Sequence, residues 1–225
     1  LINSEDVEMK NFGLDIWGDD NFIIQDDTIN VNYASKPSLI SITQEIREKG
    51  YKGPLLLRFP HLIEKQISTL FSTFEKAKQE FNYKGNFHAV FPLKVNQFPN
   101  FVHALMDVSK NYNYGLEAGS KAELIIAMTK TPLGAPVTVN GFKDKEMISL
   151  CFIAAKMGHN ITVTIEGLGE LETIIQVNEE FNAEVETPIA PKIGVRIRLH
   201  SSGIGIWAKS GGYGSKFGLT STELL

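Results

Sequence analysis

The chain has 225 residues, 43% hydrophobic and 21% charged, with 22 basic against 26 acidic side chains for a net charge of −4. These are globular values that exclude a disordered, collagenous or low-complexity chain. No apolar run approaches the ~20 residues of a membrane-spanning helix, and the absence of a basic block argues against nucleic acid as the main partner.

The charge is uneven. Residues 1–30 hold eight acidic groups against Lys10 alone, a net of −7, so the remainder nets +3. Short apolar pieces interrupt the acidic stretch at Leu14–Trp17, Phe22–Ile24 and, after Asp26-Asp27, Thr28–Val31. Short strands separated by Asx-type turns fit this pattern better than a helix. The acidic excess reads as a solvated edge.

From residue 54 apolar runs alternate with helical periodicity. Strands are expected at Pro54–Phe59, Phe87–Lys94, Asn113–Glu117, Pro136–Asn140, Ile161–Glu166 and Ile193–Leu199. Helices are expected near 61–82, 98–111, 120–130, 142–158 and 168–182, with another starting at Thr220–Leu225 behind a Thr220 or Ser221 cap. Such alternation implies parallel strands with crossover helices. Successive strand residues face opposite ways. Phe87, Ala89, Phe91 and Leu93 share one apolar face, as do Val137 with Val139, Ile161 with Val163 and Ile165, and Val195 with Ile197 and Leu199. The other face turns polar towards each C-terminal end. A doubly wound sheet needs two apolar faces, whereas a (β/α) barrel needs only an apolar outside and keeps its chemistry at the C-terminal rim. The α/β barrel is therefore expected, with Lys94, Glu117, Asn140, Glu166, Arg196 and Arg198 gathered at one rim. A barrel of this kind takes ~250 residues, so the chain is expected to be part of a longer protein.

Lys94 closes an otherwise apolar strand in Phe91-Pro92-Leu93-Lys94-Val95-Asn96-Gln97. Burial there would disfavour its charged form, and an amine that sheds its proton is what Schiff-base chemistry requires. A lysine snorkelling to solvent is the plain alternative. Next comes Tyr114-Gly115-Leu116-Glu117-Ala118-Gly119-Ser120-Lys121-Ala122-Glu123-Leu124. An open turn there leads into a helix capped by Ser120, with Glu123 at the capping-box position. Six glycines between Gly203 and Gly218 suggest a mobile loop over the barrel mouth. The match of Gly203–Ala208 to a dinucleotide fingerprint is rejected, because no helix opens after it. Cys151 is alone, so disulfides within the chain are excluded and a reducing, cytoplasmic compartment is the simplest reading. It reads as a small buried hydrophobe. The five histidines, His61, His88, His103, His159 and His200, lack metal-binding spacing.

At Phe91–Gln97, Tyr114–Leu124, Gly194–Leu199 and Ser210–Leu219 the chain resembles the pyridoxal-phosphate-dependent basic amino-acid decarboxylases of the alanine-racemase-like fold. The likeness extends to Trp17-Gly18 and Gly53–Pro60, and it points to the arginine-specific branch. The resemblance implies a partial (β/α)8 TIM-like barrel over 61–225 holding five of the eight strands. Residues 1–60 would be a β-rich segment of a second domain, with Pro54–Phe59 leading in from it. It implies that Lys94 binds pyridoxal phosphate, that Glu117 is the acid beside it, and that Arg196 stands on the barrel wall near the cofactor's phenolic side. Glu123 matches another family acid, although capping explains it equally well. The implied reaction is decarboxylation of L-arginine to agmatine, a polyamine precursor, in a homo-oligomer with shared sites, with Mg2+ as a further ion. Residues 1–225 alone are expected to be inactive, because the family's remaining site motifs would follow Leu225. The alternatives are a sister enzyme acting on ornithine, diaminopimelate or a carboxylated polyamine (carboxynorspermidine), or a non-catalytic homologue serving as a regulatory partner.

Overall fold

A computed structural model describes residues 12–199 and 218–225. The chain divides into two compact units, Leu1–Leu62 and Ile63–Leu225.

In the first unit, helix α1 (Leu14–Trp17) precedes a hairpin of β1 (Phe22–Gln25) and β2 (Thr28–Val31), followed by helix α2 (Leu39–Glu48). The hairpin matches the sequence expectation. Asp26 and Asp27 both take left-handed backbone (φ 52° and 55°), the geometry of the two-residue turns that suit strand twist. Register pairs Gln25 with Thr28 and Phe22 with Val31. Leu14–Trp17 is helical instead of extended, because Gly13 starts a turn in which Trp17 and Ile16 both donate to its carbonyl. Residues 39–48, for which no element was expected, form a helix capped by Ser38, whose hydroxyl accepts from Ser41 N–H at 3.0 Å. Pro54–Phe59 is not a strand. Phe59 instead packs edge-on against Phe22, with centroids 5.4 Å apart. Among the described residues of this unit only Leu14 and Val31 are buried apolar side chains, too few to form a core.

Helix α3 (His61–Glu80) leads into the second unit. There β3 (Val90–Pro92), α4 (Pro99–Tyr112), β4 (Gly115–Ala118), α5 (Lys121–Lys130), β5 (Pro136–Val139), α6 (Lys145–Lys156), β6 (Asn160–Ile165), α7 (Leu168–Asn182) and β7 (Lys192–Val195) alternate. The strands form one parallel sheet in the order β3-β4-β5-β6-β7. That order selects the architecture. Parallel crossovers are right-handed, so strands added always on the same side place every helix on the same face. A doubly wound sheet would instead reverse direction once. The expected apolar face is the covered one: Leu116, Ala118, Val137, Val139, Ile161, Val163 and Ile165 are at most 4% exposed, with α5 packed on β4 and both α6 and α7 on β6.

Three expectations change. The lysine strand is shorter than Phe87–Lys94, because Phe87 stacks on Phe74 of α3 at 3.9 Å and meets Phe71 edge-on. The apolar side of β7 stays open among the described residues: Ile193, Val195, Ile197 and Leu199 are all exposed, since β7 is the sheet edge and no described helix covers it. Residues 220–225 form a turn and not a helix. Its start still has a cap, with Glu223 Oε2 accepting from Thr220 N–H at 2.7 Å and Thr220 Oγ1 accepting from Glu223 N–H at 3.3 Å.

Gly115 has a steric reason for lacking a side chain: a Cβ there would stand 1.7 Å from the Pro136 carbonyl oxygen of the adjoining strand. Backbone cannot swing aside as a flexible side chain can. Gly115→Ala is expected to lower the unfolding free energy by roughly 2–3 kcal/mol, measured by urea denaturation.

Candidate functional site

Lys94 is placed by backbone. Val95 N–H donates to Pro92 O at 3.0 Å, closing a turn just past β3, and Leu93 N–H donates to Glu117 O at 3.0 Å. Leu93 is fully buried while Lys94 projects the other way. Register sets Pro92 opposite Glu117, so Lys94, two residues on, shares the side of the sheet from which Glu117 extends. Lys94 Nζ lies 3.5 Å from Glu117 Oε1. The dry environment expected at Lys94 is absent: its side chain is 70% exposed, against 20% for Glu117. The lysine ends on a turn beyond the strand, where no described element covers it. A partly exposed pair of this kind contributes at most ~1 kcal/mol to stability.

The second grouping stands across the sheet. Ile165 pairs with Val195, so Glu166 and Arg196 emerge side by side. Arg196 Nη1 donates to Glu166 Oε1 at 2.8 Å; the Glu166 side chain is 2% exposed, that of Arg196 46%. Glu166 Oε2, Asn140 Oδ1 and Arg198 Nε are buried without a hydrogen-bond partner. The structure thus brings Lys94 to Glu117 and Glu166 to Arg196, with β5 and Asn140 between the pairs. All six expected rim residues lie at the C-terminal ends of successive strands.

Most of the glycine-rich stretch lies outside the described residues, but Gly218 is within them. Its N–H donates to Glu166 O at 3.0 Å, and Ile197 bridges in parallel with Leu219. Gly218 holds φ +93°, and a Cβ would meet Arg198 N at 3.1 Å. Gly218→Ala is expected to cost roughly 1–3 kcal/mol, read as a fall in the urea midpoint.

Sequence reasoning missed a buried ion pair behind this rim. Lys143, with a fully buried side chain, places Nζ 3.1 Å from Glu170 Oε1 and donates to the Gly141 carbonyl. Glu170 also accepts from the N–H groups of Lys143 at 3.3 Å and Glu166 at 2.8 Å. The only sequence signal is an acid in the first turn of α7. The walls of a cavity of about 450 Å3 here include Phe142, Glu166 and Glu170, and do not include Lys94. Cys151 is fully buried, and burial pushes its thiol up to about 12 against the opposing charge of Lys143, so it is an inert core side chain as expected. His200 lies outside the described residues. Among the described residues no cluster of three or more His, Cys, Asp or Glu could hold a metal ion, and no described helix is long and apolar enough to cross a membrane.

Glu123 is 7% exposed and does more than cap. Ser120 Oγ accepts its N–H at 3.3 Å, while its carboxylate accepts from Gly119 N–H at 2.6 Å and Gln97 Nε2 at 2.8 Å.

No family model matches the chain. Its fold is that of the barrel in decarboxylases of the alanine-racemase-like type. The diaminopimelate decarboxylase of M. jannaschi superposes with a TM-score of 0.65 at 20% identity, over 92% of this chain and 43% of that one. More specifically, the chain is a homologue of biosynthetic arginine decarboxylase. It is 56% identical to that enzyme (SpeA) from Campylobacter jejuni, with a TM-score of 0.83 over 95% of this chain and 34% of that one. It is 36% identical to the biosynthetic arginine decarboxylase of Citrifermentans bemidjiense over 96% of this chain and 34% of that protein. It is 39% identical to that of Bacteroides thetaiotaomicron over 83% and 29%. The chain therefore spans about a third of the length of the curated relatives it matches.

Proposed function

We propose that the chain carries the cofactor lysine of a pyridoxal-phosphate-dependent decarboxylase that converts L-arginine to agmatine and carbon dioxide. The observation that carries this reading is Lys94 with its Nζ 3.5 Å from Glu117 Oε1, at the C-terminal strand ends of a chain homologous to arginine decarboxylases. The residues fit such a cofactor. Lys94 offers an accessible amine, and the buried, unpartnered Asn140 Oδ1 and Arg198 Nε leave polar capacity at the same strand ends.

When bound, pyridoxal phosphate supplies an electron sink for the pair released as the substrate carboxyl group leaves as carbon dioxide. Lys94 Nζ would hold the cofactor, and Glu117 Oε1, 3.5 Å away, would orient that amine. Arg196, steadied by the buried Glu166, would offer its positive charge to the cofactor. Residues 1–60 are proposed to belong to a second, β-rich domain. The two buried apolar side chains among their described residues call for a larger core than they provide. The active protein is proposed to be a cytoplasmic homo-oligomer with shared sites.

The test is carbon dioxide release by the complete protein from L-arginine, L-ornithine and diaminopimelate in parallel. Arginine is expected to be preferred. Faster turnover of either competitor overturns the substrate assignment, and a protein that never takes up the cofactor supports the regulatory homologue.

A further inference from the structure

We infer that Glu123 is a positioning residue for Lys94, clasping the loops after β3 and β4 together through Gln97 and Gly119. The inference rests on Lys94 being the cofactor lysine. In a capping box the acid returns to the N–H of the cap residue itself, here Ser120. Glu123 reaches one residue further back to Gly119, and gives its other oxygen to Gln97, 26 positions earlier in the chain. Burying a carboxylate is costly unless its lone pairs are used, and an exposed acid would cap the helix as well. The burial makes sense as a bond between loops.

What it joins is the Lys94–Glu117 pair. Gln97 is three residues beyond Lys94, and Gly119 two beyond Glu117. The lysine loop has one bond to β4 at its start, Leu93 N–H to Glu117 O. The turn at Val95 and the Asn96 Oδ1 contact to Phe98 N–H at 3.0 Å are internal to the loop. The Gln97 amide ties down its far end, so Lys94 sits between two anchors. Because the Lys94 side chain is largely exposed, its aim is set by this backbone and not by packing around it. A site group must be held within about 0.5 Å to work.

The experiment compares Glu123→Ala, Gln97→Ala, their combination and Glu123→Gln in the complete protein. Two readouts are used: the rate at which added pyridoxal phosphate develops its lysine-bound visible absorbance, and hydrogen exchange of residues 94–98 and Gly119 without cofactor. Either alanine variant should slow capture roughly 10- to 100-fold and speed exchange in both loops. The combination should be no slower than the worse single change, as expected for partners in one contact. Glu123→Gln should restore capture to within a few-fold. Its oxygen keeps the Gly119 bond, and a turned Gln97 amide accepts from its NH2. A folded Glu123→Ala protein that captures cofactor at the parental rate and leaves residues 94–98 protected reduces Glu123 to a helix cap and overturns the inference. If Glu123→Ala does not fold, Gln97→Ala decides, since it keeps the cap and the Gly119 bond. If the parent captures no cofactor, the functional proposal fails while the exchange readout still judges the clasp.

Discussion

Lys94→Ala is expected to abolish the visible absorbance of the protein-bound cofactor and to bring arginine decarboxylation below detection, with the protein still folded. Folding should survive because the side chain is 70% exposed and its contact with Glu117 is 3.5 Å long, an arrangement with little stake in stability. Lys94→Arg separates the two roles the residue could play. Arginine keeps a positive charge beside Glu117 but does not give up its proton. If Lys94 only balanced Glu117, the arginine variant would retain the absorbance and the activity. If it holds the cofactor, both are lost in Arg and Ala alike. A band that survives in Lys94→Arg would mean that a different amine binds the aldehyde, and the assignment would fall.

The largest expected effect on stability lies behind the rim. Glu170→Leu should cost about 3–5 kcal/mol, because it leaves the fully buried Lys143 ammonium with the Gly141 carbonyl and no carboxylate. Lys143→Met should cost less, roughly 1–3 kcal/mol. Glu170 would still accept from the N–H groups of Lys143 and Glu166, and it is not wholly sealed from water. The order of the two variants in urea midpoint is the discriminating result. If Lys143→Met proves the more damaging, the carboxylate is the group that cannot stand alone, and the assignment of donors in this network is wrong. Glu170→Leu also frees the backbone N–H of Glu166, the acid that steadies Arg196, so a fall in cofactor affinity should accompany it.

Legibility followed the range of the interaction responsible. Helix α7 falls on the residues expected of it, and α4, α5 and β5 differ by a single residue at one or both ends. In each, periodicity and capping act within a few residues. The hairpin at Asp26-Asp27 was equally readable, since two residues decide its turn. Leu14–Trp17 and Pro54–Phe59 misled because both are apolar and short, where alternation cannot distinguish a strand from a turn packed through aromatic rings. The truncation of the lysine strand depended on Phe87 finding Phe71 and Phe74, partners on helix α3.

The candidate site divides the same way. Lys94, Glu117 and Arg196 could be named from strand ends and motif, because a parallel sheet delivers every such residue to one edge. That Lys94 is wet, that Glu166 holds Arg196, and that Glu123 faces Gln97 are facts of tertiary contact. So is the burial of Lys143 with Glu170. The sequence by itself determined the succession of strands and helices, the apolar face of the central strands and the residues offered at the rim, since these depend on local spacing and side-chain alternation. Only the tertiary structure decided which charges meet and which are shielded from water, because both depend on distances between segments separated by up to 30 positions that no local pattern encodes.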